Sequence, residues 1–256
     1  MLNSVKHLDG ALFAARYAFM PNKLRYCGGD RNSNLFDYVA EGESDQGLKN
    51  MLAEFETMYP YLKLISEANH IIDPFDYRVV EAYWIGNELL EKVSMKGLYR
   101  HMIDGQKMKQ KFKPELLEKV FGKIPIGAKP HHSWHVFNIP KQAHYYPVEH
   151  TVETMDQCRI SWGRVQKKKV STENDLTSKL MVNYEPLLVE NGKIVLGKSV
   201  EKEIWSEVND KSFIRDLKDG DQVSMHWGWA CDILTDSQVN NLKKWTKYNL
   251  ALANIE

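Results

Sequence analysis

The chain carries only three cysteines in 256 residues, Cys27, Cys158 and Cys231, an odd number and widely spaced. That pattern argues against a disulfide framework and for a reducing, cytoplasmic setting. Net charge is absent too: 34 basic side chains balance 34 acidic ones, so no general attraction to nucleic acid or to an anionic membrane is expected. The sole basic run, Lys167–Lys169, reads as a solvated hairpin edge. No stretch of 18 apolar residues occurs, and Asp9 and Arg16 interrupt the N-terminal MLNSVKHLDGALFAARYAF. Neither a membrane-spanning helix nor a secretory leader is therefore expected. The phosphate-loop pattern GxxxxGK[ST] is missing, and so is HExxH, which removes a nucleotide motif and one class of metalloprotease.

Aromatic residues, by contrast, are plentiful, with 7 Trp and 12 Tyr. At about 25 cal/mol per Å² of apolar surface, a chain of this length builds a core without a covalent or metal staple. The first half repeats apolar positions at helical spacing. Residues 45–70 read as helical with a kink or division at Pro60, and DPFDYRVVEAYWIGNELLEKV (73–93) reads as one helix capped by Asp73 with Pro74 in its first turn. On that helix Glu81 and Glu88 would share a face, as a solvated surface or a carboxylate pair. YCGGDRN (26–32) signals a tight turn.

From 121 to 150, Gly and Pro recur (Gly122, Pro125, Gly127, Pro130, Pro140, Pro147), which marks connecting chain. Beyond Cys158 the period drops to two. CRISWGRV, KLMVNYEPLLV, KIVLG, KEIWSEV and DQVSMHWGW read as five short strands, and TDSQVNNLKKWTKYNLALANI closes the chain as a helix with a Thr235/Gln238 capping box. The expected class is α+β: a helical domain (1–120), a Pro/Gly/His-rich connection (121–155), and a small, mainly antiparallel β-barrel with a C-terminal helix (156–256).

Two constellations carry metal-ligand or nucleophile chemistry. PHHSWHVF (130–137) clusters His131, His132 and His135; on a helix, 132 and 135 or 131 and 135 share a face, with the spacing two imidazoles need for one transition-metal ion. Confinement between Pro130 and Pro140 excludes a long helix, and three imidazoles need partners, so at least two are expected to face a cleft between the helical part and the strands. Cys27, or a carboxylate such as Glu81, is their expected neighbour. The second constellation is Cys158 with His226, each expected on a strand, either as a soft half-site for a metal or as a thiol nucleophile with its base. A buried structural thiol is the plain alternative.

CRISWGRV resembles the opening C-x-x-x-P-G-x-V strand of the HypC/HupF family of hydrogenase-maturation chaperones. DLKDGDQVSMHWGWACDILTDSQVNNLKKW is similar to that family's V-G-D-x-V-x-V-H-x-G-F-A segment and following helix, with Gly220–Asp221, His226, Gly228 and Ala230 in register. The resemblance spans about residues 156–252. It implies a HypC-like barrel in which Cys158 and His226 handle the Fe(CN)2CO unit of [NiFe]-hydrogenase, and partners that are the hydrogenase large subunit or maturation proteins. The N-terminal half is similar to uncharacterised proteins of hydrogenase loci. The expectation is a cytoplasmic accessory protein of [NiFe]-hydrogenase. The alternatives are a metal-dependent enzyme built on Cys27, His131, His132 and His135, and a pure interaction module.

Overall fold

The computed structural model describes residues 9–139, 149–169 and 177–255; Pro140 and Pro147 of the connection lie outside them. Helices α1 (Gly10–Lys23), α2 (Asn32–Glu41), α3 (Gln46–Ala53), α4 (Met58–Ala68), α5 (Tyr77–Trp84), α6 (Met95–Arg100), α7 (Met108–Lys111) and α8 (Pro114–Gly122) make the N-terminal part. Helices α9 (His132–Asn138) and α10 (Val152–Cys158) lead into strands β1 (Ser161–Lys169), β2 (Thr177–Tyr184), β3 (Leu187–Glu190), β4 (Lys193–Leu196), β5 (Val200–Val208), β6 (Lys211–Ser212), β7 (Gln222–His226) and β8 (Trp229–Ile233). Helix α11 (Asp236–Ala253) closes the chain, so the class is mixed α+β with a helical N-terminal part and a C-terminal helix. No helix among the described residues is long and apolar enough to cross a membrane.

Several boundaries differ from the sequence reading, each for a local reason. The 45–70 segment divides at residues 54–57 rather than at Pro60, which sits in the first turn of α4, where no intrahelical N–H is required. The 73–93 segment is not one helix. Asp76, not Asp73, caps α5 by accepting from the Arg78 N–H, while Asp73 accepts from the Phe75 N–H in the preceding turn. α5 ends at Trp84 because Gly86 takes φ +95°, and a Cβ there would overlap the indole of Trp245. The chain resumes as a 3-10 turn over Glu88–Lys92, so Glu81 and Glu88 share no helix face. KLMVNYEPLLV is split by Pro186 into β2 and β3, the latter pairing with β4 in a separate two-stranded sheet among the described residues.

The main sheet runs β2-β1-β7-β8-β5-β6, and β2 also pairs with β5, so the pairings return to β2. β1 pairs antiparallel with β7, Ser161 opposite Met225 and Trp162 opposite Ser224. Inside these strands Val165, Leu180, Val182, Ile204, Val223, Met225 and Ala230 form one apolar cluster. A larger one joins α1, α5, α9, β8 and α11 through Phe13, Tyr17, Tyr83, Trp134, Trp229 and Trp245. Each such side chain contributes about 1.5–3 kcal/mol on burial, and together they fix the face where the helices meet the first and last strands.

Candidate metal centre

His226 is the last residue of β7. The hairpin to β8 turns on Trp227 (φ +52°) and Gly228 (φ +71°), the two positive φ values of a type I′ turn, with His226 paired to Trp229. A tryptophan at positive φ is strained, and its packing and backbone contacts hold it there. Its ring packs on Tyr26 at 4.6 Å, and its backbone N–H donates to the Gln157 carbonyl at 2.7 Å. That last bond fastens the His226 hairpin to the residue before Cys158.

Cys158 ends α10 and is not on a strand, a correction to the sequence reading. Thr151 and Thr154 form a capping box that starts the helix, and β1 begins only at Ser161. The buried Arg159 pairs with Asp156 at 2.9 Å and donates to the Glu185 carbonyl, which fixes the helix end that presents Cys158. The β1–β7 pairing starts at Ser161 opposite Met225, and the Trp227–Gln157 bond just upstream sets Cys158 alongside His226.

His132 completes the group from α9. One ligand atom each from His132, Cys158 and His226 lies within 4.8 Å of the others, and all three residues are buried. The Cys158 Sγ to His132 Nε2 distance is 3.9 Å. Ligand atoms of a tetrahedral zinc site stand about 3.3–3.8 Å apart, given bonds of about 2.0–2.3 Å, so ligation draws the three groups closer and moves the His132 proton from Nε2 to Nδ1, where the Tyr83 hydroxyl accepts it. Two imidazoles and a thiolate are a borderline-soft set that suits zinc, copper, iron or nickel rather than magnesium or calcium.

The groups behind the ligands decide which ring nitrogen carries a proton. His226 Nδ1 donates to the Tyr17 carbonyl at 2.7 Å, which leaves the lone pair of the neutral ring on Nε2. That carbonyl is available because Pro21, four residues on in α1, has no N–H to give it. His132 Nε2 donates to the Cys158 carbonyl at 2.8 Å, and its Nδ1 meets the Tyr83 hydroxyl at 3.1 Å. A hydroxyl both donates and accepts, so Tyr83 serves either tautomer of His132. Burial pushes the Tyr83 hydroxyl well above its ordinary value, with Tyr61, Cys27 and Cys158 adding to the rise, so it stays protonated. Trp84 packs on both rings, at 4.6 Å from His132 and 5.6 Å from His226.

His132, Cys158 and His226 line a cavity of about 90 Å³, together with Cys27, His135, Phe55, Met58 and Phe112. That is room for several waters or a small ligand beside an ion. Cys27 and His135 are partly exposed, and at the outer side Glu56 and Lys111, 3.9 Å apart, also line it. His132 and His135, one helical turn apart, thus share the cavity with Cys27, as the spacing of PHHSWHVF suggested.

His131 does not join them. Its Nδ1 accepts from the Ser133 N–H and caps α9, and its ring stacks on Trp245 at 5.9 Å. Burial pushes its pKa down to about 3, against a smaller upward pull from the Ile85 backbone. Glu81 is likewise elsewhere, accepting from Gln238 at 2.9 Å and Asn87 at 3.1 Å. Cys231 is buried, donating to the Trp229 carbonyl at 3.5 Å, with burial raising its thiol pKa well above the ordinary value. Sequence reasoning missed Tyr83 and Pro21. Nothing in the spacing around Tyr83 marks it as more than one aromatic of a buried helix face, although a buried tyrosine hydroxyl usually finds a partner. The second carried a usable signal, because a proline inside a helix frees the carbonyl four residues back.

Residues 6–256 match DUF6390, described as a family of unknown function. The chain belongs to that family. No curated protein and no solved structure matches the chain.

Proposed function

We propose that this member of the DUF6390 family is a cytoplasmic metal-centre handling protein that accompanies [NiFe]-hydrogenase maturation. One observation carries the metal part: His132, Cys158 and His226, from three separate elements, bring their ligand atoms within 4.8 Å in a buried pocket. The maturation part rests on the HypC/HupF resemblance, whose cysteine and histidine positions are two of these three residues. The returning ring of strand pairings supports a barrel of the expected kind. In this reading the Fe(CN)2CO unit, or a simpler transition-metal ion, is cargo. The partner is the hydrogenase large subunit or another maturation protein. The chain's own residues bind the cargo, flank it with Trp84 and Phe55, and hold His226 with its Nε2 lone pair toward the site, while the Tyr83 hydroxyl serves His132 in either tautomer.

The test is anaerobic purification from a hydrogenase-producing host, followed by metal analysis and infrared spectroscopy for CN and CO stretches. Wild-type protein is expected to carry metal that Cys158→Ser lacks, and deletion of the gene is expected to leave the large subunit immature. Metal retained by Cys158→Ser contradicts the site. Normal maturation in the deletion strain contradicts the pathway. A metal-dependent enzyme is the second reading, favoured by the cavity beside the ligands, which leaves a coordination position open to a small substrate. It predicts turnover rather than one-for-one delivery.

A further inference from the structure

The cavity holds more metal-ligating groups than the buried triad uses. Cys27 and His135 line the same space as His132, Cys158 and His226, yet fall outside the group whose ligand atoms lie within 4.8 Å of one another. Exposure separates the two sets: the triad is buried, whereas Cys27 and His135 are partly exposed. Neither outer residue is placed loosely. His135 sits one turn along α9 from His132, with its Nδ1 3.4 Å from the Tyr61 hydroxyl. Cys27 is held by the buried amide of Asn22, which donates to the Cys27 carbonyl at 2.8 Å and the Gly29 carbonyl at 2.6 Å. Gly28 takes φ +80°, and a Cβ there would crowd Phe55, so the turn brings Cys27 to the cavity wall.

We infer that Cys27 and His135 form an outer station that captures a borderline-soft cation and passes it to the buried triad. This inference rests on the metal-handling reading above. A thiolate and an imidazole are the same donor types as the inner set, so transfer exchanges like for like. The Cys27–metal bond breaks as the Cys158–metal bond forms, and the His135 nitrogen gives way to His132 and His226. Cys27 regains the proton that Cys158 releases, so nothing is oxidised and no net proton is exchanged in the transfer. A buried site filled directly from water must strip the ion's hydration shell in one step; a half-exposed pair of ligands divides that cost.

The test uses the full chain with cobalt(II) as probe, and stopped-flow absorbance follows the thiolate-to-cobalt charge-transfer band. Wild type is expected to show two phases. Cys27→Ser is expected to lose the fast phase and reach the same final band, while Cys158→Ser keeps the fast phase and loses the slow one. His135→Gln, which leaves both thiols in place, is expected to diminish the fast phase alone and serves as the second variant should Cys27→Ser fold poorly. Uptake in Cys27→Ser and His135→Gln that matches wild type overturns the outer station. So does a final band lost as fully in Cys27→Ser as in Cys158→Ser, because Cys27 then belongs to one shared coordination sphere. A Cys158→Ser protein with an unaltered final band overturns the triad and leaves the outer pair as the site. No cobalt band in wild type overturns both readings.

Discussion

Replacing Pro21 with alanine separates stability from function in opposite directions. The substitution restores an N–H four residues after Tyr17 and so competes with His226 for the Tyr17 carbonyl, now 2.7 Å from His226 Nδ1. For the fold, alanine is about 3 kcal/mol more favourable than proline inside a helix. Against this stand about 0.4–1 kcal/mol from a freer unfolded chain and about 0.5–1.5 kcal/mol from the weakened His226 bond. The variant should therefore be more stable, by roughly 0.5–2 kcal/mol on these terms. For the site, losing the group that orients a metal-binding histidine weakens affinity by about 10–100-fold, or about 1.4–2.7 kcal/mol. Urea denaturation gives the first quantity, and zinc titration against a competing chelator gives the second. A more stable variant with wild-type zinc affinity would refute the claim that the freed carbonyl sets the His226 tautomer. A variant that loses both would show that Pro21 supports the helix packing generally.

Tyr83→Phe removes the hydroxyl that serves both tautomers of His132, and zinc affinity should fall by about 10–100-fold; Tyr61→Phe, whose hydroxyl faces His135, should leave equilibrium affinity unchanged. Equal effects of the two would contradict the division between inner and outer ligands. Gly86→Ala should cost roughly 2–5 kcal/mol, from an alanine at positive φ and a Cβ forced into the Trp245 indole; a urea midpoint near wild type would refute this. Acid should destabilise the fold through His101 and His131, which burial holds down to about 4 and about 3 against an ordinary 6.5. Below pH 6.5 the unfolded chain binds protons that the folded chain does not. Stability is thus full above that pH and is lost as pH falls toward those folded values, at up to about 1.4 kcal/mol per unit for each histidine. Urea melts between pH 6.5 and 5 should show this slope, reduced in His101→Gln, and a flat profile would contradict it.

The candidate metal-binding residues are more legible in the sequence than their arrangement. A histidine and a thiol at the ends of alternating segments single out His226 and Cys158, and they do come together, but through the end of α10 and the β7–β8 hairpin rather than through paired strands. The His cluster was legible as a pair at helical spacing, but not which pair. His131 differs from His132 only by facing the helix N-terminus, and capping is decided by backbone angles that composition does not reveal. Cys158 was read as strand because it adjoins an alternating run; the Thr151–Thr154 box that makes it helical lies upstream of that run. The break after Trp84 depends on Trp245, more than 150 residues away, so local periodicity had no means of locating it. β8 was missed because its two-residue turn uses Trp227–Gly228, where Asn–Gly is the familiar signal.

X-ray absorption on the full chain loaded with one equivalent of zinc tests the central claim most directly. The account predicts one sulfur at about 2.3 Å and two imidazole nitrogens at about 2.0–2.1 Å, with the sulfur lost in Cys158→Ser. A zinc shell without sulfur, one with two sulfurs, or a shell unaltered by Cys158→Ser would contradict it.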